Sequence, residues 1–221
     1  MVKIMKIYEA NGNRFILGEE MVDVKEQCKQ YLCDGFLLIH SHQMNVYNAD
    51  GSQAELCLNG LHCFAHYLYD QHPEYRVYAL LIGSEIYKCE ILQVDPFISE
   101  VELKLPKTYR NFVDTGNEHY ILFENDLSQA ELLSKRYDCN VNYVKIINRK
   151  YIEVKTYERG VGFTKSCGSG NVASCYYCKV NGLCDDFVEV LNPGGVSSIQ
   201  MKEKILVRTP SHQVMVDENH L

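Results

Sequence analysis

The chain has 221 residues, is 46% hydrophobic and carries a formal net charge of −7. That is enough apolar material for one large domain or two small lobes with cores of their own, and the acidic balance is the wrong sign for nucleic acid or an anionic membrane as the main partner. No stretch approaches the roughly 18 apolar residues of a helical membrane span, and Met1–Ala10 alternates Lys with Ile and Tyr without an apolar signal region. A cytoplasmic protein is expected. Ten cysteines without a signal segment disfavour a secreted disulfide scaffold, and most are expected to be small buried hydrophobes or reduced thiols.

In chain order, strands are expected at Lys3–Tyr8, Gly35–Ile39 and Asn45–Asn48, with a helix over Val24–Leu32 between the first two. A second helix, Cys57–Tyr69, follows a Gly-bearing turn. Strands at Arg76–Ile82, Ile86–Val94 and Val101–Leu105 complete the first half. The aperiodic stretch Lys107–Gly116 is the expected joint, giving an N-terminal lobe over 1–110 and a C-terminal lobe over 111–221. In the second half, His119–Phe123 leads to a helix over Asp126–Tyr137 that opens on an Asp cap. Strands Tyr143–Ile147 and Tyr151–Thr156 precede a helix over Cys167–Asn181. The remaining strands are Phe187–Leu191, Ile199–Met201, Ile205–Val207 and Gln213–Val216.

The two halves share a short internal match. Glu55-Leu56-Cys57-Leu58-Asn59-Gly60 parallels Lys165-Ser166-Cys167-Gly168-Ser169-Gly170, and each places a Cys where a Gly turn enters a helix. A Cys at a helix N-terminus meets unpaired backbone N–H groups and the positive end of the dipole, both of which favour thiolate. The same N–H groups suit a carboxylate. Two such helix starts facing each other would set one sulfur on each face of an α-carbon. One thiolate would take the α-proton and the opposite thiol would return one, with enolate charge growing on the held carboxylate. On the residues alone, each Cys is also a plausible small residue beside a turn.

Further motifs stand in a fixed order. Asn48-Ala49-Asp50-Gly51-Ser52-Gln53-Ala54-Glu55-Leu56-Cys57 resembles the loop of the first catalytic Cys in the diaminopimelate epimerase family. Glu158-Arg159-Gly160-Val161-Gly162 with Ser166-Cys167-Gly168-Ser169-Gly170 resembles the stretch carrying the second. Gly12-Asn13-Arg14-Phe15, Gly116-Asn117-Glu118-His119, Asn140-Val141-Asn142-Tyr143-Val144 and Pro193-Gly194-Gly195 are similar to four more family motifs.

The resemblance implies an α/β (α+β) fold of two pseudo-symmetric lobes. Each would be a curled, mostly antiparallel sheet around a central helix, with the active site in the cleft between them, usually in a homodimer. It implies an isomerase that needs neither pyridoxal phosphate nor any other cofactor or metal and takes a small amino-acid substrate. The activity implied is interconversion of LL- and meso-diaminopimelate in lysine and peptidoglycan precursor synthesis. Carried over by position, Cys57 and Cys167 are the acid/base pair. Leu58, Asn59, Gly168 and Ser169 surround the reacting carboxylate. Asn48, Asn117, Asn140 and Arg159 read the distal half of the substrate, a guanidinium gripping a carboxylate with paired donors. Asn13 and Glu158 approach the reacting ammonium, and His119 sits near the thiols. Turn chemistry is the plain alternative for Asn13 and Asn48, local backbone bonds for Asn117 and Asn140, and a solvated charge pair for Glu158 and Arg159.

The sequence departs from the family pattern at Leu58, where Gly is common, and at His62, Glu118, Arg14 and Phe163. Gly35 offers no side chain at an early binding position, and the segment from Phe15 to Asn48 is compressed. A racemase for another amino acid, such as histidine, is the competing enzyme. A catalytically dead or zinc-binding relative is the third reading, since Cys175, Cys178, Cys63, His62 and His66 offer ligand types.

Overall fold

The computed structural model describes residues 5–54, 56–124 and 126–215; Lys3, Ile4, Glu55 and Val216 of the elements above lie outside them. The chain forms two compact units, residues 1–101 with 210–221, and residues 102–209.

In the first unit, β1 (Lys6–Ala10) and β2 (Asn13–Gly18) pair antiparallel around Asn11-Gly12. Both turn residues have positive φ, 48° and 77°, the conformation a tight hairpin requires and that Asn-Gly tolerates. The turn thus makes a strand of a segment read only as a motif. Helix α1 (Val24–Tyr31) starts on Asp23, whose side chain accepts from the Glu26 N–H, and ends at Leu32 in the left-handed region. It buries Val24 and Cys28 against Ile7, Ile16, Cys33 and Phe36. β3 (Gly35–His40) lies parallel to β2 and antiparallel to β4 (Gln43–Asn48), which also pairs with β5 (Gln53–Ala54). Helix α2 (Leu58–Gln71) buries nine of its fourteen residues and contacts β1 and β2 as well as β6 (Val77–Ile82) and β7 (Glu85–Val94). An element buried on this many sides is a central helix, not a surface one. β6 runs parallel to β4 and antiparallel to β7, which pairs with β8 (Phe97–Leu103).

The second unit repeats this plan. β10 (Phe112–Asp114) and β11 (Glu118–Leu122) form the hairpin, and β9 (Lys107–Tyr109) flanks it. A 3-10 turn capped by the Asp126 side chain leads into α3 (Ala130–Tyr137), which ends at left-handed Asp138. β12 (Asn140–Asn148) lies parallel to β11 and antiparallel to β13 (Tyr151–Glu158), which pairs with β14 (Gly162–Phe163). Helix α4 (Gly168–Val180) buries nine of thirteen residues. β15 (Phe187–Asn192) is parallel to β13 and antiparallel to β16 (Gly195–Met201), which pairs with β17 (Ile205–Val214). The order of elements and the sense of each equivalent pairing match between units, so the short Cys-centred match marks a duplication of a whole α+β half. The expected α+β class is the one observed.

Two expectations about continuity differ from the structure. Residues 107–116, where the sequence places the joint, carry β9 and β10, and the units divide after Val101 instead. The strands expected at 205–207 and 213–216 are one strand. Ser198–Met201 pair with its first part, while Ser211–Val214 pair with β1. Pro210 stands between these two registers, so its missing N–H is taken from neither. No helix among the described residues is long and apolar enough to cross a membrane.

Candidate active site

Burial sorts the cysteines. Desolvation pushes the thiols of Cys28 and Cys139 up to about 11 and Cys33 to about 12. It also raises the fully buried Cys63, Cys89 and Cys175. Cys178 is raised first by its bond to Cys184 and then by burial. Such thiols stay protonated and behave as small hydrophobes. Among the described residues no group of three or more His, Cys, Asp or Glu could hold a metal ion.

Cys57 and Cys167 stand elsewhere. Cys57 is the extended residue that caps α2, and its Sγ accepts from the Gly60 N–H at 3.3 Å. Cys167 is the extended cap of α4, 6% exposed, with Sγ 3.4 Å from the Ser169 hydroxyl. Each sulfur lies at the positive end of a helix whose first N–H groups suit an anion. The turn before α4 is held by Asn171 and Asn192, which exchange amide bonds of 2.7 and 3.0 Å, with Ser166 donating to Asn192 Oδ1.

The residue two positions after each Cys is wired alike. In the first unit, Asn59 donates to Asn13 Oδ1 at 2.6 Å. In the second, Ser169 meets His119 Nε2 at 3.0 Å. Asn13 begins β2 and His119 lies on β11, the equivalent strand. Leu58 is buried in the first turn of α2 with ordinary helical φ, so the side chain there brings no strain. Gly35 has a plain cause: a Cβ would stand 2.6 Å from the Tyr47 carbonyl oxygen.

The other expected residues divide. Asn140 accepts from the Arg159 N–H at 2.9 Å, joining those two positions. The Arg159 guanidinium, however, is turned onto the carbonyl and carboxylate of Asp138, both at 3.0 Å and exposed. An exposed pair of this kind contributes at most about 1 kcal/mol, so a substrate carboxylate can compete for it. Glu158 accepts from Thr164 Oγ1 at 2.6 Å. Asn117 follows Gly116, whose φ of +99° makes the turn, and its carbonyl is held by Thr115. Asn48 donates to Ser52 Oγ and closes the turn to β5, the turn chemistry its neighbours suggest. Asn142, bonded to His119, and Thr156, bonded to Asn142, extend the candidate site and do not stand out in the sequence. Both are buried behind α4, and only the alternation of β12 and β13 hinted that they face inward.

The sequence matches no protein-family model. The diaminopimelate epimerase of Campylobacter jejuni subsp. doylei is 32% identical over 203 residues, covering 78% of this chain and 81% of that one. The chain belongs to the diaminopimelate epimerase family. The diaminopimelate epimerase of Clostridium perfringens is 29% identical over 256 residues, 91% of this chain and 93% of that relative. Among solved structures, the phenazine biosynthesis protein of the PhzF family from Bacillus anthracis superposes with a TM-score of 0.66 at 12% identity, covering 96% and 98% of the two chains. A hydroxyproline epimerase from Agrobacterium vitis, with bound trans-4-hydroxy-L-proline, gives 0.65 at 10% identity, covering 96% and 91%. These share the fold of the diaminopimelate epimerase family. Family membership makes the chain an isomerase of the amino-acid epimerase and racemase type.

Proposed function

We propose that the protein interconverts LL- and meso-diaminopimelate by moving the α-proton between Cys57 and Cys167, without pyridoxal phosphate. The reaction would feed lysine and peptidoglycan precursor synthesis, in the cytoplasm and from a homodimer as the resemblance implies. The carrying observation is that equivalent positions of two duplicated units each place a thiol at the cap of a buried helix. In the proposed reaction the Cα–H bond breaks toward one sulfur, its electron pair enters the enediolate of the carboxylate, and the other thiol delivers a proton to the opposite face. Leu58, Asn59, Gly168 and Ser169 supply the N–H groups that hold the carboxylate as its charge grows. Asn13 and Glu158 take the reacting ammonium, and Asn48, Asn117, Asn140 and Arg159 take the distal half.

α-Proton exchange in D₂O, followed by NMR over LL-diaminopimelate, histidine and other amino acids, tests the reading. Exchange and inversion of LL-diaminopimelate are expected, and no exchange with any amino acid would overturn it. A second reading, a racemase for another amino acid, draws on Leu58, buried in the first turn of α2, and on Glu118 and Phe163, where the sequence departs from the family pattern. Exchange with histidine but not diaminopimelate would select it. Cys57→Ser and Cys167→Ser should each abolish inversion, while either one still exchanges a proton from one face. Normal inversion by either variant would sink the two-base scheme.

A further inference from the structure

We propose that Thr156, Asn142, His119 and Ser169 form a one-directional hydrogen-bond relay that points a hydroxyl hydrogen at Cys167, holding that residue as the resting thiolate and therefore as the first proton acceptor. The inference deepens the two-cysteine reading and rests on it for the word acceptor. The polarity of Cys167 stands on the relay alone.

Up to Ser169 each link has one possible sense once the first is set, and the last is assigned the sense in which the hydroxyl donates to sulfur. Thr156 Oγ1 donates to Asn142 Oδ1 at 2.8 Å, in a buried pair on β13 and β12. With its oxygen engaged there, the amide presents Nδ2 to His119 Nδ1 at 2.9 Å. An amide N–H only donates, so Nδ1 carries a lone pair and the ring proton sits on Nε2. The ring is neutral: complete burial pushes His119 down to about 4. Nε2–H therefore donates to Ser169 Oγ at 3.0 Å. A hydroxyl whose oxygen accepts from that side turns its own hydrogen elsewhere, and Cys167 Sγ is 3.4 Å away. An O–H donated to sulfur favours S⁻ over SH and adds to the helix-end field at the cap of α4.

The packing around the relay leaves no slack. A Cβ on Gly170 would stand 2.5 Å from Asn142 Oδ1 and 2.8 Å from Thr156 Oγ1, so the helix carrying Cys167 rests directly on the two groups that set the sense of the chain. His119, Asn142, Thr156 and Ser169 are all buried, and a satisfied buried network of this kind fixes orientations. Ser169 and His119 are thus positioning residues for Cys167. In the proposed turnover the α-proton passes to Cys167, the Cys57 thiol gives up its proton, and the two thiols exchange states.

The test uses the full chain and the ultraviolet absorbance of thiolate, titrated with pH and compared with Cys167→Ser. At pH 7 the substitution should remove one thiolate. Ser169→Ala, which keeps its backbone N–H, should raise that titration by about one to two pH units. It should lower kcat about 10- to 100-fold with little change in KM. Ser169→Thr, which keeps the hydroxyl, should restore both. ¹⁵N NMR of the His119 ring should show the Nε2–H tautomer at neutral pH. A titration unmoved in Ser169→Ala, or an Nδ1–H tautomer, would overturn the relay. The titration is read without substrate: a shifted thiolate with no α-proton exchange on any amino acid would keep the relay and remove the function. Exchange with an unmoved thiolate would do the reverse.

Discussion

Gly170→Ala should be among the most damaging single-methyl additions to this protein, although alanine is the better helix former. The added Cβ would sit 2.5 Å from Asn142 Oδ1 and 2.8 Å from Thr156 Oγ1. Neither atom can swing aside, because Asn142 is bonded to both Thr156 and His119 and Thr156 is a buried, branched side chain. Overpacking costs roughly 1–3 kcal/mol, and forcing the amide off its partners adds roughly 1–3 kcal/mol for a buried acceptor left unmade. The gain in helix propensity returns about 1 kcal/mol. A net loss of about 3 kcal/mol lowers the melting temperature by about 6–12 °C in a chain of this length. The equivalent change in the first unit, Gly60→Ala, meets Leu37 Cδ2 at 3.3 Å and Cys57 at 3.4 Å, so its strain and its propensity gain nearly cancel, leaving a shift below about 4 °C. Calorimetry on both variants decides the matter. A Gly170→Ala melt within about 2 °C of the parent, or one no lower than Gly60→Ala, would refute the packing argument.

Two further outcomes follow from burial and capping. His62 and His119 are buried and pushed down to about 3 and about 4, in each case mainly by desolvation. The unfolded chain binds protons on them below about 6.5 while the folded chain does not, so stability is full above that pH and falls as pH drops toward 4, by up to about 1.4 kcal/mol per pH unit for each. Urea melts at several pH values should show that slope, and His119→Gln should reduce it by about half; a slope of the opposite sign would contradict the buried neutral state. Cys57→Ser, lethal to inversion in the proposed mechanism, places a better capping residue on α2 in the position where Cys57 now accepts from Gly60. Its melting temperature should equal or exceed that of the parent, and a clear drop would count against the cap geometry.

Local signals carried far along this chain. The 3-10 turn before α3 begins on Asp126, as its Asp cap suggests, and the two Cys-led helices begin where their Gly turns place them. What escaped were features decided by distant partners. β2 needs a hairpin mate and a parallel neighbour to become a strand, and β10 needs antiparallel partners on both sides. The single strand across Pro210 carries, among others, ladders to β1 and β16, whose residues lie at opposite ends of the sequence. Of the candidate site, Cys57, Cys167 and His119 stand out in the sequence by residue type and motif. Asn142 and Thr156 read as interior positions of ordinary strands, and only the approach of Gly170 exposes their role.

The duplication also accounts for why two similar units can treat their thiols differently. A common plan guarantees each Cys a helix end, because the strand, turn and helix around it are set by the same pairings. It does not set the residue that contacts position Cys+2. On β2 that partner is Asn13, an amide that accepts from Asn59; on β11 it is His119, a ring whose single proton is directed by Asn142 toward Ser169. An asparagine at Cys+2 has no hydroxyl to pass on, whereas a serine held from behind by Nε2–H keeps one hydrogen that can be turned to Cys167 Sγ. In the proposed mechanism, equal helix ends with unequal second partners would bias the Cys167 thiol toward base in the resting protein and leave Cys57 as the acid, the division of labour with which a two-base inversion starts.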